Sequence, residues 1–176
     1  MKTIITFAFC LFAFTNYAQL SEAQLNRYTF QVDSAASLLH QSLYADGESE
    51  FSTVFRVDTF KIERMLSLKL RNDTSKAEQI NALNDAEIAY DFLVSKYYKF
   101  LLNLYNTEDQ KVIIANQKKW VKYRDEQIAL FEKNKNQQVK GNEKDIFAAE
   151  KNHLKVSKVR AVELFNQILA SPFFEK

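Results

Sequence analysis

Residues that break helices are nearly missing from this chain: its 176 positions hold two glycines, Gly47 and Gly141, and one proline, Pro172. Strand-rich folds need turn chemistry about every ten residues. The scarcity excludes a β-sandwich or barrel and predicts an all-α protein. Cysteine is as rare. Cys10 stands alone, so no internal disulfide can form and the fold rests on packing. A glycine-rich phosphate loop is also missing.

One long apolar run is present, and it opens the chain. Lys2 precedes an almost unbroken apolar stretch from Ile4 to Phe14; polar Thr15 and Asn16 follow, then Ala18 before Gln19. This pattern predicts a secretory signal peptide over residues 1–18, cut near Ala18, and the run is too short to span a bilayer. Cys10 sits mid-run between Phe9 and Leu11, without the small residue that precedes a lipidated cysteine. The expected product is a periplasmic or secreted protein of about 158 residues, which suits one domain.

Formal charge is +2 for the whole chain, but it is unevenly spread. Residues 19–110 carry nine lysines and arginines against fourteen acids, and residues 111–176 carry fourteen against eight. Folding is expected to interleave the two halves and cancel much of this contrast.

The pattern predicts a bundle of about five helices arranged as antiparallel hairpins. Ser21-Glu22-Ala23-Gln24 reads as a capping box, with the glutamine reaching back. Leu25, Tyr28, Val32, Ala36, Leu39 and Leu43 then recur at helical spacing. Gly47 suits the left-handed position after the helix end. Phe51 to Val57 alternates ambiguously and reads as a loop leading into a helix over 58–71. Ser75-Lys76-Ala77-Glu78 is a second capping box, opening a helix to about Tyr105 that turns apolar on nearly all sides after Ile88 and should therefore be central. Asn106-Thr107-Glu108-Asp109 is the next turn, with Thr107 as cap, and a helix to about Lys133 follows. Residues 134–142 are polar and read as a mobile loop. A last helix over 143–170 presents Phe147, Leu154, Ala161, Phe165 and Ile168, and Pro172 stops it.

The stretch from Gln117 to Asp125 carries the only tryptophan. Trp120 and Arg124 are four residues apart and share a helix face, so the guanidinium can lie against the indole while its other donors seek a carboxylate. The run Gln117, Trp120, Tyr123, Arg124, Asp125 resembles the core of the LprI-type lysozyme inhibitor N-terminal domain family. That family also shows Asp-x-x-Leu-Asn-x-x-Tyr-x-x-Leu-Leu in the preceding helix. Asp91, Tyr98, Leu101 and Leu102 match it here, with Val94 and Ser95 replacing its Leu and Asn. The resemblance covers roughly Ser75 to Ile168. It implies an LprI-like helical domain over 75–170, preceded by an N-terminal helical extension over 19–74. Family members commonly carry a cysteine three residues after the Arg-Asp pair. Ile128 stands there instead, where an apolar contact can take the place of a bridge typically contributing about 2–4 kcal/mol.

Trp120, Tyr123 and Arg124 suit a ligand platform or, more simply, a clamp between helices with Arg124 tied to a carboxylate such as Asp91. Asp125 beside an arginine reads as an ion pair and not as a proton donor. Asp85, Glu87 and Asp91 read as a solvated helix start, because metal sites need oxygens converging from several elements. His40 and His153 lie far apart without zinc-site spacing. No catalytic residue, metal or cofactor is expected.

The expected function is that of an exported, non-enzymatic envelope protein that binds another protein. The resemblance suggests lysozyme as partner. Animal lysozymes are basic, so Asp46, Glu48, Glu50, Glu108 and Asp109 are the contact candidates. The alternative is an envelope module that binds an anionic glycan or similar polymer through Lys118, Lys119, Lys122, Lys133 and Lys135. Export argues against nucleic acid as that polymer.

Overall fold

The computed structural model describes residues 21–72, 75–137 and 143–174, with side chains described outside 131–145. Residues 1–18, Ala18 included, lie outside the described residues. Five helices follow in order: α1 Glu22–Ala45, α2 Glu50–Asn72, α3 Lys76–Asn103, α4 Thr107–Gln137 and α5 Glu143–Leu169. No strand occurs among the described residues. The protein is an all-α helical bundle. Among the described residues, no helix is long and apolar enough to cross a membrane.

Local chemistry sets most helix ends. The Ser21 hydroxyl accepts the Gln24 N–H at 3.2 Å. The Gln24 side chain does not reach back, because it donates forward to the Tyr28 hydroxyl at 3.0 Å. Ser75 caps α3 by accepting the Glu78 N–H, and its hydroxyl donates to the Glu78 carboxylate at 2.8 Å. Gly47 has φ +80°, the left-handed conformation that glycine adopts without steric cost. The turn before α4 departs from expectation: Asn106, not Thr107, is the cap, and its Oδ1 accepts the N–H groups of Glu108 and Asp109, each at 3.0 Å. Gln110 then folds back and donates its side-chain amide to the carbonyls of Leu102 and Tyr105 at the end of α3.

The segment expected as a loop over 51–57 is the first two turns of α2. Thr53 and Phe55 point inward there, and Phe55 stacks on Phe165 of α5 with ring centroids 3.9 Å apart. Tertiary aromatic packing thus overrides an ambiguous local pattern. Residues 134–137 likewise belong to α4, which runs past Lys133, while 138–142 lie outside the described residues.

α3 is the central element. Ala82, Leu83, Ala86, Tyr90, Leu93, Val94, Tyr97 and Leu101 are buried along it, and its main partner is α5, which contributes Leu154, Ala161, Leu164 and Ile168. Its apolar character is not all interior, however: Ile88 and Phe92 face outward, Phe92 being 72% exposed. α2 joins this main core through Phe55 and Leu66, so the core continues across the boundary expected at residue 74. α1 rests on α2 and forms a second, smaller cluster, in which Tyr28 and Val32 meet Leu68. None of the described side chains of α4 is fully buried. That helix is held to the bundle by Ile113, Trp120 and a set of polar links.

Among the described residues, two ion pairs join acids of the first half to bases of the second, Arg124 with Asp91 and Lys158 with Glu63. This is partial interleaving. Lys61–Asp33, Lys69–Asp85 and Lys96–Asp58 join residues within the first half.

Candidate functional site

α4 lies against α3 and α5, and the Trp120 region makes the joint. Arg124 sits with its guanidinium carbon 5.2 Å from the indole centroid. Its Nη1 donates to Asp91 Oδ2 at 3.3 Å, and its Nε and Nη2 donate to Asp125 Oδ1 at 3.3 and 3.1 Å. The other oxygen of Asp91 accepts the Ser157 hydroxyl of α5 at 2.7 Å, so one carboxylate ties three helices. A second guanidinium, Arg160 of α5, stands 5.8 Å from the indole. It donates twice to the Gln117 side-chain oxygen, at 3.1 and 2.8 Å, and once to Glu163 at 3.1 Å. Leu101 is buried, while Tyr98 is partly buried against the same core.

Tyr123 takes no part in this joint. It is half exposed and lines a groove of about 480 Å³ between α4 and α5 with Trp120, Gln127, Asn152, Lys155 and Glu163. Clamp and platform thus divide the motif: Arg124 works inward and Tyr123 outward, with Trp120 between them. Lys118, Lys119 and Lys122 are exposed. Lys122 approaches Glu126 at 3.8 Å. The side chains of Lys133 and Lys135 lie outside the described residues.

Directly beyond Asp91 is a group that joins Glu87 and His153, two residues read from the sequence as a solvated acid and a histidine without zinc-site spacing. Glu87 of α3 faces Glu150 and His153 of α5, and one donor atom from each lies within 4.8 Å of the other two. His153 Nδ1 is 3.6 Å from Glu150 Oε2, and their side chains are only 10% and 16% exposed. Burial pushes the Glu87 carboxyl above its ordinary value; Asp91 and Glu150 add to the rise, while His153 and Arg124 oppose it. Asp85 is solvated as expected and pairs with Lys69 at 2.6 Å. Its neighbours Glu87 and Asp91 instead face other helices. The available signal was the spacing Glu150-x-x-His153, which sets two donors on one helix face; Ser157 and Arg160 extend that face by further turns.

On α2, burial pushes Glu63 up. Hydrogen bonds from Lys158 and Tyr90, with the charge of Lys158, outweigh that and leave the carboxyl below its ordinary value.

The acidic candidates gather at one end of the bundle. Phe51, at the start of α2, lies 4.9 Å from Phe100 near the end of α3, and Tyr105 lies 5.2 Å from Phe173 beyond α5. The α1–α2 turn, the α3–α4 turn and the segment after α5 therefore share that end. Between them is a hollow of about 450 Å³ lined by Phe51, Val54, Tyr97, Phe100 and Phe174, with Glu50 and Lys96 among its polar lining. Asp46, Glu50, Glu108 and Asp109 are exposed. Glu48 is tied to Arg56, Glu108 to Lys111 at 2.6 Å, and Glu50 comes within 3.9 Å of His40.

Compared with known proteins, the chain matches no family model, no curated sequence and no solved structure.

Proposed function

We propose that this chain is an exported, non-enzymatic protein-binding module that engages its partner with the acidic end of the bundle. The observation that carries this reading is the apolar hollow of Phe51, Tyr97, Phe100 and Phe174 at the same end as the acidic turns. A concave apolar site with a few charged groups around it suits an anchoring side chain of a partner, and acidic surroundings favour a basic one. The motif shared with LprI-type inhibitors is spent largely on internal joints, Asp91 being taken up by Arg124 and Ser157. That leaves the outer surface to do the binding. Lysozyme, a basic envelope-degrading enzyme, is the partner suggested by the motif resemblance.

A lytic assay tests this directly. The protein at micromolar concentration is expected to slow lysozyme, and Phe100→Glu or Glu50→Lys should relieve the inhibition while leaving helicity unchanged. Undiminished lysis in the presence of the parent protein would retire lysozyme as the target. The second reading, binding of an anionic polymer, is favoured by Lys118 and Lys119, which are exposed and form no ion pair among the described residues. It requires retention on an anionic glycan that weakens steeply with salt; salt-indifferent retention would remove it.

A further inference from the structure

We infer that Glu87, Glu150 and His153 form a binding site for one divalent transition metal ion of the zinc type, which pins α3 to α5. This does not depend on the protein-binding reading, because the cluster lies along the α3–α5 seam and not at the hollow.

Three observations carry it. First, the donors come from two helices and differ in kind: one imidazole and two carboxylates converge with their donor atoms within 4.8 Å of one another. A tetrahedral zinc with bonds near 2.0–2.1 Å places its ligand atoms about 3.3 Å apart. The Glu150–His153 pair, at 3.6 Å, already stands close to that spacing, and Glu87 needs only a side-chain adjustment to complete it. Second, the pair is preorganised. Glu150 and His153 are three residues apart on one turn of α5, the Glu-x-x-His arrangement by which helical bundles present metal ligands, with further carboxylates supplied by facing helices. Here Glu87 fills that facing role. Third, negative charge accumulates in a place that water reaches poorly. Asp91 and Glu150 both act on the Glu87 carboxyl, and His153 and Arg124 oppose them. Arg124 is already shared between Asp91 and Asp125. A divalent cation would neutralise the two glutamates that Arg124 does not hold.

The donor set selects the ion class. An imidazole nitrogen with two carboxylate oxygens suits zinc, cobalt, nickel or ferrous iron, whereas calcium and magnesium prefer all-oxygen shells. Three protein ligands leave a fourth position for water. Neither the groove between α4 and α5 nor the hollow at the acidic end is lined by Glu87, Glu150 or His153, so the role inferred is cross-linking of two helices in a chain whose only cysteine is Cys10.

Calorimetric titration of the chelator-treated protein with Zn2+ tests the inference, run in a His40→Gln background to remove the one other imidazole. One equivalent should bind, and the melting temperature should rise with added zinc as mass action requires. His153→Gln should weaken binding by more than about tenfold, since loss of even an outer-shell partner costs that much. Glu150→Gln and Glu87→Gln, isosteric and checked for helicity by circular dichroism, should do the same, and Asp85→Asn should change nothing. Replacing zinc by Co2+ adds a visible absorption band that His153→Gln should abolish. The inference is overturned if the parent takes up no zinc, or if the three glutamine variants bind it as tightly as the parent does.

Discussion

Arg124 and Asp91 meet at 3.3 Å although 33 positions separate them in the chain, and this contact carries α4 onto α3. Neither partner is fully buried, with side chains 26% and 38% exposed. The pair therefore falls between a surface bridge worth under about 1 kcal/mol and a buried one whose disruption costs about 3–5 kcal/mol. Replacing Arg124 by Ala also removes the cation stacked near Trp120. The expected loss is about 1–2 kcal/mol, read as a lower urea midpoint. Arg124→Lys should fall between, because a lysine keeps the charge and loses the fork that spans Asp91 and Asp125. An unchanged midpoint for Arg124→Ala would show that α4 is held without this contact.

Two buried tyrosines should respond in opposite ways to loss of their hydroxyls. Tyr90 donates to Glu63 at 2.7 Å, so Tyr90→Phe is expected to cost about 1–2 kcal/mol. The Tyr97 hydroxyl is buried with no hydrogen-bond partner among the described residues, so Tyr97→Phe should be neutral or stabilising by up to about 1 kcal/mol. Denaturant titration of the two variants side by side would reveal the contrast. A costly Tyr97→Phe would contradict it.

The same two phenols set the alkaline limit. Burial raises both above the ordinary value of 10.0, with the Glu63 hydrogen bond adding to the rise at Tyr90 and the Asp58 charge at Tyr97. Above pH 10 the unfolded chain therefore binds fewer protons than the folded one, and stability falls as pH increases. Each group contributes a slope of at most about 1.4 kcal/mol per pH unit. Tyr97→Phe should flatten the fall without moving its onset. A slope identical to the parent's would exclude Tyr97 from it.

Capping at α4 is open to a simple comparison. Asn106→Ala removes the acceptor of two backbone N–H groups and should cost about 1 kcal/mol. Thr107→Ala, one residue inside the helix, should change stability by no more than a few tenths. Equal losses in thermal melts would place the cap wrongly.

Much of the architecture could be read from local chemistry. The serine caps at Ser21 and Ser75, the left-handed Gly47 and the stop at Pro172 act within a few residues, so the order and ends of α1, α3 and α5 follow from the chain itself. The start of α2 did not, because what makes Phe51 and Phe55 helical is their fit against Tyr97 and Phe165, contacts that no window of sequence contains. The Arg124–Asp91 contact was foreseeable from side-chain type and the need to pair a half-buried guanidinium. The Glu87–His153 approach was harder to foresee: the two residues sit on separate helices, and only the α3–α5 packing makes them neighbours. Spacing within one helix is visible in a sequence, whereas convergence between helices is set by the whole core.

The first helix packs on α2, burying Tyr28, Val32, Ala36 and Leu43, and its cluster with Leu68 stands apart from the core that α2 shares with α3 and α5. It can therefore detach while the rest of the molecule stays closed, and its amides should exchange with solvent well before those of α3. A limb joined chiefly to one neighbour can also trade places with its counterpart on a second molecule, giving a reciprocal dimer without any new surface.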